Sequence, residues 1–173
     1  MPKTNLTERE CRSHFDMWSI VAAPLILGHD IRKTPEWVKK IIFNEEVIQV
    51  NQDKLGVQGT RVYKLYEGTK ADLCVNPNPQ GYCKRVEVWA KPLSDGKIAV
   101  LFFNRGHITS QFDKQYKEED IEVTWEQLGL RKGQKMFIRD ILNHKDLGIF
   151  EDKFIAKNVL PHGDFMIVMK PTY

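Results

Sequence analysis

VEVWAKPLSDGKIAVLFFNR, residues 86–105, contains two apolar runs that are separated by a strong turn signal. Branched and aromatic residues on both sides of the turn are typical of β-strands. Between them, Ser94, Asp95 and Gly96 favour a tight reversal, because aspartate and glycine tolerate the backbone conformations that turns require. The stretch therefore predicts a β-hairpin, and it is the clearest hairpin signal in the chain.

Similar strand-like segments continue from residue 60 to the end of the chain. Each is short, rich in branched and aromatic residues, and bounded by turn signals such as Lys132-Gly133 and His162-Gly163. The segments are RVYKLY, RVEVWAKPL, KIAVLFFNR, DIEVTW, KMFIRDIL, KFIAKNVL and DFMIVMK. This pattern predicts an all-β antiparallel sandwich, with residues 106–119 as a polar surface loop.

The first 57 residues follow a helical period instead. Thr7 and Glu10 fit a capping box, and Pro24 predicts that the first helix ends at Ala23. The apolar stripe of this helix is Cys11, Phe15, Trp18 and Ala22, with Leu25 beyond its end. Two more helices are expected, one with Pro35 in its first turn and one capped by Asn44. Their inner faces are Trp37, Val38, Ile41 and Ile42 in the second helix, and Val47 and Val50 in the third.

Between the first two helices, residues 25–27 read LIL, an apolar run without polar alternation. Such a run is typical of a strand that is buried on both faces. Helix, buried strand and helix form the repeating unit of an α/β fold with a parallel sheet. Because one strand cannot form a sheet, residues 1–57 look too small to be a complete α/β domain.

Composition narrows the class of protein. The chain has 173 residues, 42% of them apolar, and a formal charge of only +3, with acidic and basic residues interspersed. Nucleic-acid and membrane-surface proteins concentrate their lysines and arginines, so neither class is expected. No apolar run approaches the roughly 20 residues that span a bilayer, and the first residues lack the apolar segment of a signal peptide.

The three cysteines show no zinc-type pairing. Cys74 and Cys83 flank the turn-rich VNPNPQGY, which brings a disulfide between them into consideration. In a reducing compartment the two would stay thiols, so the sequence leaves both states open. Cys11 is most simply a small apolar core residue.

Several blocks resemble the carboxy-terminal portion of the melibiase family, the α-galactosidases and α-N-acetylgalactosaminidases. In order, they are TERECRSHFDMWSIVAAPLILGHDIR, EEVIQVNQDKLGVQG, VEVWAKPLSDGKIAVLFFNR, VTWEQLGL, RDILNHKDLG and LPHGDFMIV. They cover nearly the whole chain, and the turn-rich insert near residues 66–83 is the main part without a counterpart. The most distinctive block is VIQVNQDKLGVQG.

The resemblance implies a fold and an activity. Residues 1–57 are then the end of a (β/α)8 barrel, with LIL similar to its last strand, and residues 58–173 are the antiparallel β-sandwich. Family enzymes hydrolyse terminal α-linked galactose with retention, which takes two carboxyl groups about 5 Å apart. In the family both aspartates come from earlier barrel strands, and no segment of this chain matches them. The chain is therefore expected to be a fragment that is inactive alone, with no catalytic, substrate-binding or metal-binding residue and no cofactor.

A few residues have both a functional and a structural interpretation. His29, Asp30 and Arg32 follow the predicted strand at the face where barrels build active sites, but an anchored turn explains them more simply. His144, Asp146 and His162 lie in predicted turns without the ligand spacing of a metal site. Trp89 and Trp125 are favoured as core residues over sugar-stacking ones. Asn51, Gln52 and Asp53 either hold the two domains together or cap a helix.

The remaining expectations concern partners and modification. Asn5-Leu6-Thr7 is a glycosylation sequon, weakened by the role of Thr7 as a helix cap. The resemblance implies α-galactosides as substrates of the full-length family and a secreted or lysosomal location, and it leaves a homodimer open. The alternative function is a standalone β-sandwich module that binds carbohydrate or a partner.

Overall fold

The computed structural model of the chain describes residues 6–66, 82–83, 85–108 and 118–172. Three helices come first: α1 (Glu8–Ile20), α2 (Glu36–Ile42) and α3 (Glu45–Asn51). As predicted, Thr7 and Glu10 form a reciprocal capping box at the start of α1. Asn44 caps α3, where its Oδ1 accepts from the backbone N–H groups of Glu46 and Val47. Among the described residues, none of the helices is long and apolar enough to span a membrane.

Ten strands follow. They are β1 (Thr60–Tyr66), β2 (Tyr82–Cys83), β3 (Arg85–Pro92), β4 (Ile98–Asn104), β5 (His107–Ile108), β6 (Glu119–Thr124), β7 (Lys135–Asp140), β8 (Lys145–Glu151), β9 (Lys153–Val159) and β10 (Asp164–Pro171). A six-stranded sheet has the order β1-β3-β4-β10-β7-β8, and every pair in it is antiparallel. Strands β6 and β9 form a second antiparallel sheet. The predicted antiparallel sandwich is confirmed, and so is the hairpin, whose turn places Asp95 and Gly96 at positive φ.

The large sheet is covered on both faces. On one face Val100 and Phe102 of β4 join residues of β6 and β9 in a first core. On the other face Ala99 and Leu101 of β4 join the helices in a second core, which contains Ile20, Val47, Val50, Leu93, Ile141 and Met166. Because alternate side chains of a strand point to opposite faces, a strand covered on both sides must be apolar throughout. This explains the unbroken IAVLFF of β4.

Residues 25–27 do not form the strand that the sequence predicted. The structure assigns no strand there, and 85% of Ile26 is exposed to solvent. A parallel strand needs neighbours on both edges to satisfy its backbone hydrogen bonds. No strand among the described residues lies beside LIL, so the run has no regular secondary structure.

Helix α1 also presents a different face from the predicted one. Its buried residues are Ser13, Asp16, Ser19 and Ile20, which pack on the sheet. Of the predicted apolar stripe, Phe15 packs partly buried against the second core, whereas Trp18 is 43% exposed. The error arose because the hydrophobic period identifies the face that is apolar, not the partner that it meets. Here the partly polar face contacts the sandwich.

Strand β8 was missed by the sequence analysis. It is an edge strand with few buried side chains, and its pairing with β7 is shifted between Ile138 and Arg139. Gly148, at a φ of 101°, lies opposite Ile138 beside this irregularity. An edge strand with a bulge loses the alternation by which strands are recognised, so no periodic signal marked it.

Asn44 joins the helices to the sandwich, because its Nδ2 donates to the carbonyl oxygen of Ile141 at 2.9 Å while its Oδ1 caps α3. We expect Asn44→Ala to lower the free energy of unfolding by about 1–2 kcal/mol, since a cap and a buried hydrogen bond are both lost. Asn44→Asp keeps the cap but not the donor, so it separates the two contributions. Urea unfolding measures both, and equal stability of Asn44→Ala and wild type would contradict this role.

Candidate functional site

Asp16 and Asp164 form a carboxyl pair, and two carboxyl groups are what the active site of a retaining glycosidase requires. Asp16 lies on α1 and is 1% exposed, and the Oδ2 atoms of both residues are buried. Burial, together with the charge of the neighbouring carboxyl, raises the pKa of Asp16 well above its usual value. The two carboxyls interact directly with each other. A retaining glycosidase instead holds its acids about 5 Å apart around a sugar. In this pair the two Oδ2 atoms are buried between helix and sheet, and Asp16 also helps to line a hollow beside α1.

No pattern in the sequence predicted this pair. The local signal was an aspartate inside the apolar segment FDMWSI of α1. Its partner is 148 positions further along the chain, so the contact follows from the docking of α1 on β10 and not from any local pattern.

Near the predicted barrel strand, Asp30 and Arg32 pair with each other. Arg32 donates from Nε to Oδ1 of Asp30 at 2.9 Å and from Nη2 to Oδ2 at 3.0 Å. These bonds hold the pKa of Asp30 below its usual value. His29 is hydrogen-bonded to the hydroxyl of Thr34 at 2.8 Å. The three residues therefore anchor a turn, and the structural interpretation is confirmed.

The histidines of the sandwich pair with helix carboxylates. His144 Nδ1 lies 2.6 Å from Oε1 of Glu46, and His162 Nδ1 lies 2.9 Å from Oε1 of Glu10. Hydrogen bonds from the Thr7 backbone and from His162 lower the pKa of Glu10 to about 2. Within the described ranges, no group of three or more histidine, cysteine, aspartate or glutamate residues is arranged to hold a metal ion. The two histidines join the helices to the sandwich.

Glu46 is the centre of the largest of these links. Arg139 donates to it from Nε at 2.6 Å and from Nη2 at 2.9 Å, and also reaches Asp146 at 2.7 Å. The guanidinium of Arg139 holds the pKa of Glu46 below its usual value. Beside it lies a hollow of about 600 Å³ between the helices and the β7–β8 turn, which Arg12, Asp16, Lys40 and His144 help to line. Of the carboxyl groups that line it, that of Glu46 is in an ion pair and that of Asp16 is buried.

The polar cluster at residues 51–53 contacts both the segment after α1 and the β3–β4 hairpin. Asn51 Nδ2 donates to the carbonyl oxygen of Ala23, past the end of α1. Asp53 accepts from the backbone N–H and the hydroxyl of Ser94 in the β3–β4 hairpin. Buried Lys91 donates to the carbonyl oxygens of Val50 and Asn51, and burial lowers its pKa. The cluster thus fastens the end of α3 to the sandwich.

Neither tryptophan offers an open sugar-stacking surface. Trp125 is 1% exposed, and its Nε1 donates to the carbonyl oxygen of Gln134. The Trp89 ring is half-buried, its Nε1 donates to Glu87, and the Arg61 guanidinium lies 5.9 Å from its centroid. The preference for core tryptophans is therefore confirmed for Trp125, and Trp89 packs at the edge of the second core.

Most exposed apolar side chains lie on the helical part. Within the described ranges, Ile149 is the one large hydrophobic residue of the sandwich that is exposed. The others, which we call the exposed apolar set, are Leu6, Trp18, Ile26, Leu27, Ile31, Trp37, Phe43, Leu55 and Val57. This uneven distribution marks the helical part as the side of the molecule that lacks a covering partner.

Two predicted modifications lie outside the described residues. Asn5 precedes the first described residue, Cys74 lies in an undescribed stretch, and the side chain of Cys83 is not described either. The glycosylation of Asn5 and the Cys74–Cys83 disulfide therefore stay predictions. Cys11, which was expected to be a buried core residue, is only partly buried.

Comparison with known protein families gives two matches, in the order expected from the sequence. Residues 3–53 match the family model for alpha galactosidase A, and residues 84–169 match that for the alpha galactosidase C-terminal beta sandwich domain. The alpha-galactosidase of Cyamopsis tetragonoloba is 33% identical over 166 residues, which is 96% of this chain and 34% of that protein. The alpha-galactosidase of Coffea arabica is 36% identical over the same length, with 36% of it covered.

Solved structures show the same fold. The alpha-galactosidase I of Mortierella vinacea matches 98% of this chain and 37% of its own, with a TM-score of 0.75 and 22% identity. A β-L-arabinopyranosidase of Geobacillus stearothermophilus matches with a TM-score of 0.72 and 23% identity, over 98% of this chain and 32% of its own. The chain spans about a third of the length of the curated relatives it matches. It belongs to the melibiase family, of which it represents the carboxy-terminal portion.

Proposed function

We propose that this chain is the carboxy-terminal part of an α-galactosidase-like retaining glycoside hydrolase that releases terminal α-linked galactose. Residues 1–57 would complete the barrel of that enzyme, and residues 58–173 would form its sandwich. The catalytic carboxylates would come from the remaining two-thirds, so the chain alone is inactive. The observation that carries the proposal is the exposed apolar set. Most of its members lie in or near residues 3–53, which match the family model for alpha galactosidase A.

The orientation of α1 supports this division. One side of the helix is bound to the sandwich through Ser13 and Ile20, while Trp18 on another side is exposed. A helix with contacts on two sides is expected where it fills the space between two layers. The sandwich is one of these layers. The rest of the barrel would be the other layer, and it would cover the exposed side of α1.

The LIL segment, residues 25–27, supports the same partner. Ile26 and Leu27 are 85% and 43% exposed, and the backbone between Pro24 and Gly28 is free of regular structure. Burying an isoleucine or leucine side chain contributes about 1.5–3 kcal/mol. A neighbouring parallel strand would bury these side chains and also satisfy the backbone groups.

A chimera tests this proposal. The portion of the Coffea arabica relative that precedes its match is joined to this chain, and hydrolysis of a chromogenic α-galactoside is measured. We expect activity from the chimera and none from the 173-residue chain alone. Ile26→Asp in the chimera should abolish activity, since a charge would replace a buried strand residue.

The control is Ile149→Asp, on the exposed edge of the sandwich, which should leave the chimera active. Robust hydrolysis by purified chain alone would contradict the proposal. So would a soluble, folded chimera without activity whose parent enzyme is active under the same conditions. Galactose-dependent NMR shifts in the chain alone would favour the carbohydrate-binding module instead.

Substrate and location form part of the same proposal. The relatives include alpha-galactosidases and, over 58% of this chain, an alpha-N-acetylgalactosaminidase of Gallus gallus. We propose an α-galactoside substrate because the relatives that match 96% of the chain are alpha-galactosidases. A secreted or lysosomal location, with a Cys74–Cys83 disulfide, would follow for the full enzyme.

A further inference from the structure

At the contact between α1 and β10, the described residues supply fewer hydrogen-bond donors than there are buried acceptors. Ser13 Oγ lies 2.9 Å from the carbonyl oxygen of His162 and 2.9 Å from Oδ1 of Asp164. The hydroxyl has one proton, and the carbonyl can only accept. The single hydroxyl proton can therefore be donated fully to only one of these two oxygens.

The second oxygens of the pair, Oδ2 of Asp16 and Oδ2 of Asp164, are both buried. Among the described residues, no donor reaches either atom. Asp164 as a whole is partly exposed, but this oxygen is not, and its atomic environment decides its solvation. Two ionised carboxylates in contact repel each other, and an unpaired buried charge costs several kcal/mol. A single proton between them removes both penalties.

We propose that Asp16 and Asp164 share a proton in the folded chain, so that the docking of α1 on β10 is a proton-linked clamp that loosens as pH rises. The clamp is independent of the glycosidase proposal, since it lies entirely within this chain. Similar sharing of one proton between two carboxyls is well established for closely spaced acids.

Several charged groups lie around the Asp16–Asp164 pair. Arg12, one turn earlier on α1, favours the ionised forms of Asp16 and Asp164, but it is 3.7 Å from Glu8 and partly exposed. From the sandwich side, His162 approaches through its carbonyl and directs its ring towards Glu10. Lys40, Glu45, Glu46 and His144 line the hollow beside Asp16. Burial is the largest influence on both carboxyls, and it raises the pKa of each.

The direction in which stability changes with pH follows from these raised pKa values. Below about pH 4, the usual pKa of aspartate, both carboxyls are protonated in the folded and the unfolded chain, so the contribution is fully present. Above it the unfolded chain releases its protons while the folded pair retains one. The equilibrium constant for unfolding then rises up to about tenfold per pH unit, until the raised pKa of the pair is passed.

The experiment is urea unfolding of the full chain from pH 4 to pH 8, with Asp16→Asn as the variant. An asparagine amide at this position donates to Asp164 at every pH, so the rise should disappear and the variant should be the more stable protein at pH 8. Asp120→Asn is the control. Asp120 is paired with Lys157 on the surface, so its variant should keep the wild-type slope in this range.

A second measurement needs no variant. In a ¹³C NMR titration of the wild-type carboxyl carbons, one aspartate should remain protonated above the usual range of aspartate. Titration of every carboxyl carbon in the usual range would overturn the proposal. A slope that Asp16→Asn leaves unchanged would overturn it as well, and Asp164→Asn replaces that variant if it does not fold.

Discussion

Ile20→Ala should lower the free energy of unfolding by about 2–5 kcal/mol, because the removed atoms leave a cavity in the second core. Ile20 is fully buried against Leu101 and Met166 of the sheet. Trp18→Ala, two residues earlier on the same helix, should have a smaller effect, since 43% of Trp18 is exposed in this chain. Urea unfolding followed by circular dichroism measures both.

In the chimera, only the effect of the tryptophan variant should change. If the rest of the barrel covers the outer side of α1, Trp18→Ala becomes costly there, by about 3–5 kcal/mol for a buried tryptophan. Ile20→Ala should cost a similar amount in both proteins. A tryptophan variant that is harmless in both would contradict the orientation that we assign to α1.

Phe102→Ala should lower the free energy of unfolding by about 3–5 kcal/mol, the usual cost of removing a buried phenylalanine ring. Phe102 is fully buried between the two sheets, with its ring centroid 5.7 Å from that of Phe154 and 6.4 Å from that of Phe165. Two aromatic contacts are therefore lost together with the buried area. Thermal unfolding of the full chain gives the effect as a lower Tm.

Ile149→Ala is the matched control, because Ile149 is 60% exposed on the edge strand β8. It should change the free energy of unfolding by less than about 0.5 kcal/mol. Equal effects of the two substitutions would mean that the first core is not packed as described.

The caps and turns were predictable from the sequence. The capping box of Thr7 and Glu10, the Asn44 cap and the Ser94-Asp95-Gly96 turn are each formed by residues within a few positions of one another. Their geometry depends on the backbone of a single turn, so the residue types suffice to identify them. The strands with strong apolar patterns were identified for the same reason.

The contacts across the chain were not predictable in this way. His144 with Glu46, Ser13 with Asp164, and Lys91 with the end of α3 each join residues that are at least 40 positions apart. No local pattern specifies such a pair, because it exists only when two elements are docked at a particular angle and height. The polar atoms are then placed by packing, and the remaining buried ones must be satisfied by each other.

The hairpin, the antiparallel sandwich and the resemblance to the melibiases follow from the sequence alone, because turn residues, alternation and rare sequence blocks are properties of the chain read in order. Three features appear only in the folded chain: the side of α1 that meets the sheet, the lack of a strand beside LIL among the described residues, and the contact of Asp16 with Asp164. Each of these depends on which surfaces are available to be covered. A period in the sequence records where apolar residues lie, while the covering partner is set by the three-dimensional arrangement of the rest of the molecule.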